Sequence, residues 1–140
     1  DSTEVTKTFK FNQDGSFTDG NNVNTKTLNE NLAKFSNYNE KQVLRVSGTS
    51  YFTERAGFNN ILMGNTIIIR GYFNVTTAIP DSTPFANLQR GTSNIFGSIG
   101  VVNVNDGKAY PCVIDAGNIR SAAAIPTGYY NVIGNATILL

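Results

Sequence analysis

The chain has 140 residues, 40% of them hydrophobic and only 15% charged, with 11 Lys plus Arg against 10 Asp plus Glu and no His. That length fits one domain, or a domain with a short extra piece. A net charge of +1 with no basic run speaks against nucleic-acid binding, which needs clustered cations, and the lack of His removes Ser-His-Asp and Cys-His catalysis.

From the N-terminus, "TKTFKFNQDGSFT" predicts a hairpin. Val5, Lys7, Phe9 and Phe11 alternate onto one face, and "NQDG" supplies an Asp-Gly turn before Phe17. The period then changes: Leu28, Leu32 and Phe35 recur at helical spacing in "TLNENLAKF". Thr27 with Glu30 three residues on predicts a capping box at the helix start. Three apolar residues make too narrow a stripe to hold a short helix alone in water, so it must pack on its own domain or on copies of itself. A boundary is placed near Asn39, dividing a stem segment (1–39) from a β-rich head (40–140).

Beyond Lys41 every segment reads as strand. "KQVLRVSG", "TSYFTERAGF" and "NTIIIRGYFNVTT" follow one another, and the isoleucine run predicts a central strand covered on both faces. "GVVNVNDGKAY" and "CVIDAGNIRS" predict hairpins, and "GYYNVIGNATILL" the closing strand. Strands at roughly ten-residue spacing with Asn/Asp-Gly turns predict a mainly β fold, an antiparallel sandwich or barrel. Proline cannot donate to a ladder, so "IPDSTP" ends the isoleucine strand in a loop stiffened by Pro80 and Pro84. "AIPTG" repeats that stop before Tyr129. Each Ile-Pro step leads to aromatics, Phe85 in one case and Tyr129 and Tyr130 in the other, which either plug the core or face a ligand.

Paired carboxylates are the one catalytic class that the composition leaves open. Asp14 and Asp106 lie in Asp-Gly turns where an aspartate bonds its own backbone, Asp115 precedes a similar turn, and Glu54 beside Arg55 reads as a solvated pair. No hydrolytic activity is expected. Cys112 is the one cysteine and reads as a small buried thiol, and neither a metal-ligand set nor a cofactor motif is legible. No run is long enough to span a membrane as a helix. Asn74-Val-Thr76 and Asn135-Ala-Thr137 fit the glycosylation pattern but fall within predicted strands, where chance explains them.

The composition favours saccharide recognition. With 19 Asn, 15 Thr, 9 Ser and 13 Gly, the chain is rich in amides and hydroxyls, as extracellular and viral β-proteins often are. Sugars are held by a few placed amides, carboxylates and guanidinium groups around an apolar contact. The candidate ligand-binding residues are Asp81, Phe85 and Arg90 in one loop, Asp115, Asn118 and Arg120 in a hairpin, and Tyr110 as a floor.

The run "IIIRGYFNVTTAIPDSTPFANL", then "GSIGVVNVNDGKAY", then "GNIRSAAAIPTGYYNVIGNATILL" resembles the receptor-binding head domains of phage tail fibres and baseplates, of phages that infect Gram-positive bacteria. The resemblance covers roughly residues 43–140, and the stem is similar to the neck strands that lead into such heads. It implies a homotrimer at the virion's tail tip, attached to other tail or baseplate proteins and adhering to cell-surface saccharide without cleaving it. Leu28, Leu32 and Phe35 would then form the oligomer contact. The missing Trp departs from the usual sugar-stacking chemistry and points to polar chelation or Tyr. Two alternatives are a structural fibre or baseplate subunit and a non-viral carbohydrate-binding adhesin module. A start at Asp1 is expected of a piece of a longer protein.

Overall fold

A computed structural model of the protein describes residues 8–20, 23–36, 39–91 and 94–139, with the side chains of residues 32–36 outside the description. The chain forms two compact units, Asp1–Tyr38 and Asn39–Leu140.

In the first unit, β1 (Lys10–Phe11) pairs antiparallel with β2 (Phe17–Thr18). The Asp-Gly turn forms because Asp14 Oδ1 accepts from the Ser16 amide at 2.9 Å and Gly15 takes a positive φ of 82°. Helix α1 (Thr25–Ser36) follows. Its cap is Asn24, whose Oδ1 accepts from the amides of Lys26 at 2.9 Å and Thr27 at 3.2 Å. The expected Thr27–Glu30 box is therefore corrected: the helix starts one turn earlier, and an asparagine satisfies its first free amides. Leu28 is exposed. The side chains of Leu32 and Phe35 lie outside the described residues, as do Val5 and Lys7 of the predicted hairpin face.

The second unit is mainly β, a nearly closed antiparallel barrel. Its strands are β3 (Asn39–Gln42), β4 (Leu44–Arg45), β5 (Phe52–Thr53), β6 (Asn59–Met63), β7 (Thr66–Val75), β8 (Pro84–Asn87), β9 (Ile95–Asn103), β10 (Ala109–Asp115), β11 (Asn118–Ser121) and β12 (Gly128–Ile138). The order around the sheet is β3-β6-β7-β12-β9-β10-β11-β8-β4, with β5 also paired to β7. The two ends of that order are consecutive in the chain. One segment pairs through β3 with β6, switches partner at Val43, and pairs through β4 with β8. Val43 is fully buried and its amide donates to the Phe58 carbonyl at 2.9 Å, which fixes the switch point.

Alternation places one set of side chains inside. Ile67, Ile69, Phe73 and Val75 of β7 meet Tyr130, Val132 and Ala136 of β12 and Ile95, Ile99 and Val101 of β9. Phe52, Phe58, Phe73, Phe85 and Tyr130 form a continuous ring cluster, with Phe58 stacked on Phe73 at 4.7 Å. The inward glycines Gly71, Gly97 and Gly134 let the wall curve. A Cβ at Gly71, where φ is 119°, would overlap the Gly57 carbonyl, and one at Gly134 would overlap the Ile99 side chain. The isoleucine strand is covered on one face only. Thr66, Arg70 and Tyr72 are exposed on the other, which corrects the expectation of cover on both sides.

The two Ile-Pro loops meet each other. Ile79 and Ile125 exchange amide–carbonyl hydrogen bonds at 2.8 Å in both directions, and both side chains are buried. The repeated "AIP" is thus a matched pair of strand stops that closes one end of the core.

Candidate functional site

The barrel's closure creates a polar groove of about 430 Å³ on its outer surface, lined by Leu44, Arg45, Val46, Ser47, Glu54, Asn87, Gln89 and Asn118. β4 brings Arg45 beside β8, and the register Asn87↔Asn118 brings β11 alongside. Glu54, just after β5, accepts through Oε1 from the Arg45 amide at 2.9 Å and from Arg45 Nε at 3.2 Å. Asn87 donates through Nδ2 to Asn118 Oδ1 at 2.6 Å, while its own Oδ1 accepts from the Gln89 amide at 2.8 Å and from Gln89 Nε2 at 2.9 Å.

These bonds hold each side chain by one end and leave the other end open. Among the described residues no hydrogen bond uses Glu54 Oε2, the two Arg45 Nη groups, Asn118 Nδ2 or Gln89 Oε1. The groove therefore offers two acceptors and two kinds of donor on pre-positioned planar groups, beside the apolar flank of Leu44 and Val46. Two non-glycine residues with left-handed backbone sit by it: Gln89 at φ 60°, and Ala116 at φ 53° in the turn before Asn118. Such conformations cost of order 1–3 kcal/mol each and concentrate at functional sites.

The sequence-predicted residues are scattered around this groove, with only Asn118 lining it. Phe85 is fully buried in the ring cluster, so its assignment as a ligand contact is corrected: it is a core residue. Arg90 is likewise a structural clasp. Its Nε donates to Asn60 Oδ1, its Nη2 to the Asn39 carbonyl, and its Nη1 to Asn39 Oδ1 at 3.2 Å. Asn60, itself fully buried, donates to the carbonyls of Leu88 at 2.9 Å and Lys41 at 3.2 Å, so the pair stitches the seam where β3 and β6 approach the end of β8. Tyr110 is half-buried with its ring against Tyr130 at 5.8 Å.

Asp115 and Arg120 face each other at 3.9 Å on the β10–β11 hairpin, both partly exposed, so Asp115 answers Arg120 through space. Asp81 is exposed in a turn beside Ser82, whose amide donates to the Ser121 carbonyl at 3.0 Å. Ser121 and Asn118 are the two ends of β11. Asp81 and Asn118 thus lie at opposite ends of the β8–β11 ladder and do not form one pocket. Glu54 pairs with Arg45, whereas its neighbour Arg55 donates to the Tyr72 hydroxyl at 2.7 Å, so the expected Glu54–Arg55 pair is absent.

Sequence reading missed Arg45, Asn87 and Gln89 as site residues. Their one shared signal is a polar side chain next to an apolar neighbour that is buried (Ala86, Leu88) or half-buried (Leu44, Val46), which marks any outward strand position. Among the described residues no group of three or more acidic or Cys side chains could hold a metal, and no helix is long and apolar enough to cross a membrane. Compared with known proteins, the chain matches no family model, no curated protein and no solved structure.

Proposed function

We propose that the protein is a non-catalytic adhesion module, the trimeric head of a phage tail, whose Arg45–Asn118 groove holds a saccharide of the bacterial cell surface. The observation that carries this reading is the set of open donors and acceptors on Arg45, Glu54, Gln89 and Asn118, each anchored at its other end. Vicinal hydroxyls are both donors and acceptors, and a rigid array of planar groups that alternates the two roles matches them at low ordering cost. The resemblance to tail-tip heads supports the same reading from the side of sequence. The groove contains one carboxylate, Glu54, whereas a glycosidase needs two flanking the scissile bond.

Binding to purified wall polysaccharide and teichoic acid on a glycan array tests the proposal. Arg45→Ala and Asn118→Ala are each expected to weaken binding at least about tenfold, roughly 1.4 kcal/mol. The circular dichroism spectrum should stay that of the wild type. Wild-type affinity in both variants would place binding elsewhere, and release of reducing ends by the wild type would overturn the non-catalytic part.

A further inference from the structure

Two of the chain's five arginines lack a counter-charge. Arg45 pairs with Glu54, Arg120 with Asp115, and Arg90 is turned into the seam beside Asn60. Among the described residues no carboxylate pairs with Arg55 or Arg70.

A bulge brings these two together. β5 and β6 both pair with β7, at Thr53↔Asn74 and Asn59↔Arg70, so residues 54–58 stand opposite only residues 71–73 and bow off the ladder. The Phe58 amide closes the bow by donating to the Arg55 carbonyl at 3.1 Å. Asn59, itself buried, ties the bow to β7: its Nδ2 donates to the Ala56 carbonyl at 3.2 Å and its Oδ1 accepts from Arg70 Nε at 3.2 Å. Arg55 lies over the Tyr72 ring, 5.2 Å from its centroid, and its Nη1 donates to the Tyr72 hydroxyl at 2.7 Å. Arg70 and Tyr72 are exposed on the same face of β7, about 6.8 Å apart along the strand.

Each guanidinium is thus held by one nitrogen and open at the others. Among the described residues no hydrogen bond uses the two Nη groups of Arg70 or the Nε and Nη2 of Arg55. The Tyr72 hydroxyl accepts from Arg55 and still has its own proton to give. Directly across the ladder the neighbours are uncharged, Asn59 on β6 and Asn131 and Ile133 on β12. Glu54, next to Arg55 in the chain, is bonded to Arg45 instead. Two fixed positive charges amid neutral neighbours concentrate a field that attracts an anion. One guanidinium fork fills a carboxylate, whereas a phosphate group has oxygens for both forks and the hydroxyl.

We infer that Arg55, Arg70 and Tyr72 form an anion site for a phosphate group, either free or carried as a diester on a polymer. The site shares no residue with the Arg45–Asn118 groove and does not depend on what that groove holds.

Titration of the isotope-labelled full-length chain with inorganic phosphate, at constant ionic strength, tests it through the arginine side-chain Nε–H signals. Those of Arg55 and Arg70 should move on one saturating curve while those of Arg45 and Arg120 stay in place. Arg55→Gln and Arg70→Gln should each weaken binding about tenfold or more, and Tyr72→Phe about threefold. Polyglycerol phosphate that binds more tightly than inorganic phosphate, with the same loss in the variants, upholds the site and identifies a polymer diester as the source. The reverse order upholds it with free phosphate as the source. No saturable movement of Arg55 and Arg70 in the wild type would overturn the site. So would acetate binding as tightly as phosphate, equal shifts from chloride, or folded variants that bind like the wild type.

Discussion

The arginines and aromatics of this chain divide into those that build the barrel and those that face out, and residue type alone does not separate them. Arg45 ends β4, and Arg90 lies three residues beyond the end of β8. Arg90 answers the buried Asn60 Oδ1 and the exposed Asn39, while Arg45 keeps both Nη groups open. Arg90→Met leaves those acceptors short of a charged donor, so it should lower unfolding free energy by about 2 kcal/mol in a urea titration. The same change at Arg45 should cost well under 1 kcal/mol, because its pair with Glu54 is largely solvated. Cys112 makes a second test at this scale. Burial pushes its thiol up from the ordinary 9.0 to about 12. The folded chain thus favours the neutral thiol, and that share of stability is present below pH 9 and lost as pH rises towards 12. A thiol reagent at pH 8 should leave the native protein unlabelled and label it fully in denaturant; fast native labelling would contradict the burial.

At the scale of elements, glycine positions decide how tightly the wall closes. Gly134 faces the Ile99 side chain and Gly71 faces the Gly57 carbonyl, whereas Gly100 faces open space on the outside. Gly134→Ala should therefore cost about 1–3 kcal/mol by overpacking, and Gly71→Ala more, because its φ of 119° also strains any side chain. Thermal melts of the two should rank in that order, and a Gly71→Ala variant as stable as wild type would mean that the wall is looser than drawn. The strands and turns were legible because each is a local matter. "DGS", "NDG" and "DAGN" are turns whose aspartate and glycine act within four residues, and alternation set the inward face of β12. The helix start was not, since Asn24 and Thr27 both suit a cap and only the chain's path from β2 selects Asn24. The pairing of the two Ile-Pro loops was legible as a repeat but not as a contact, because 46 positions separate Ile79 from Ile125.

For the whole molecule, closure is the step from fold to site. A single segment ends on both edges of the sheet, and the joint it makes at β4 and β8 brings Arg45 and Glu54 to Asn87, Gln89 and Asn118. No spacing in the sequence announces that meeting, and of the residues that line the groove only Asn118 was among the candidate ligand contacts read from the sequence. Phe85 and Arg90 suited a ligand site by residue type, but one turns into the ring cluster and the other into the seam. The central claim is that this groove grips a cell-surface saccharide, and amide chemical-shift mapping tests it most directly. Titration of the labelled protein with purified wall-polysaccharide fragments should move the amides of Arg45, Glu54, Gln89 and Asn118 along one saturating curve, leaving those around Asp81 in place. Saturable shifts centred on any other face, or none at millimolar fragment, would contradict it.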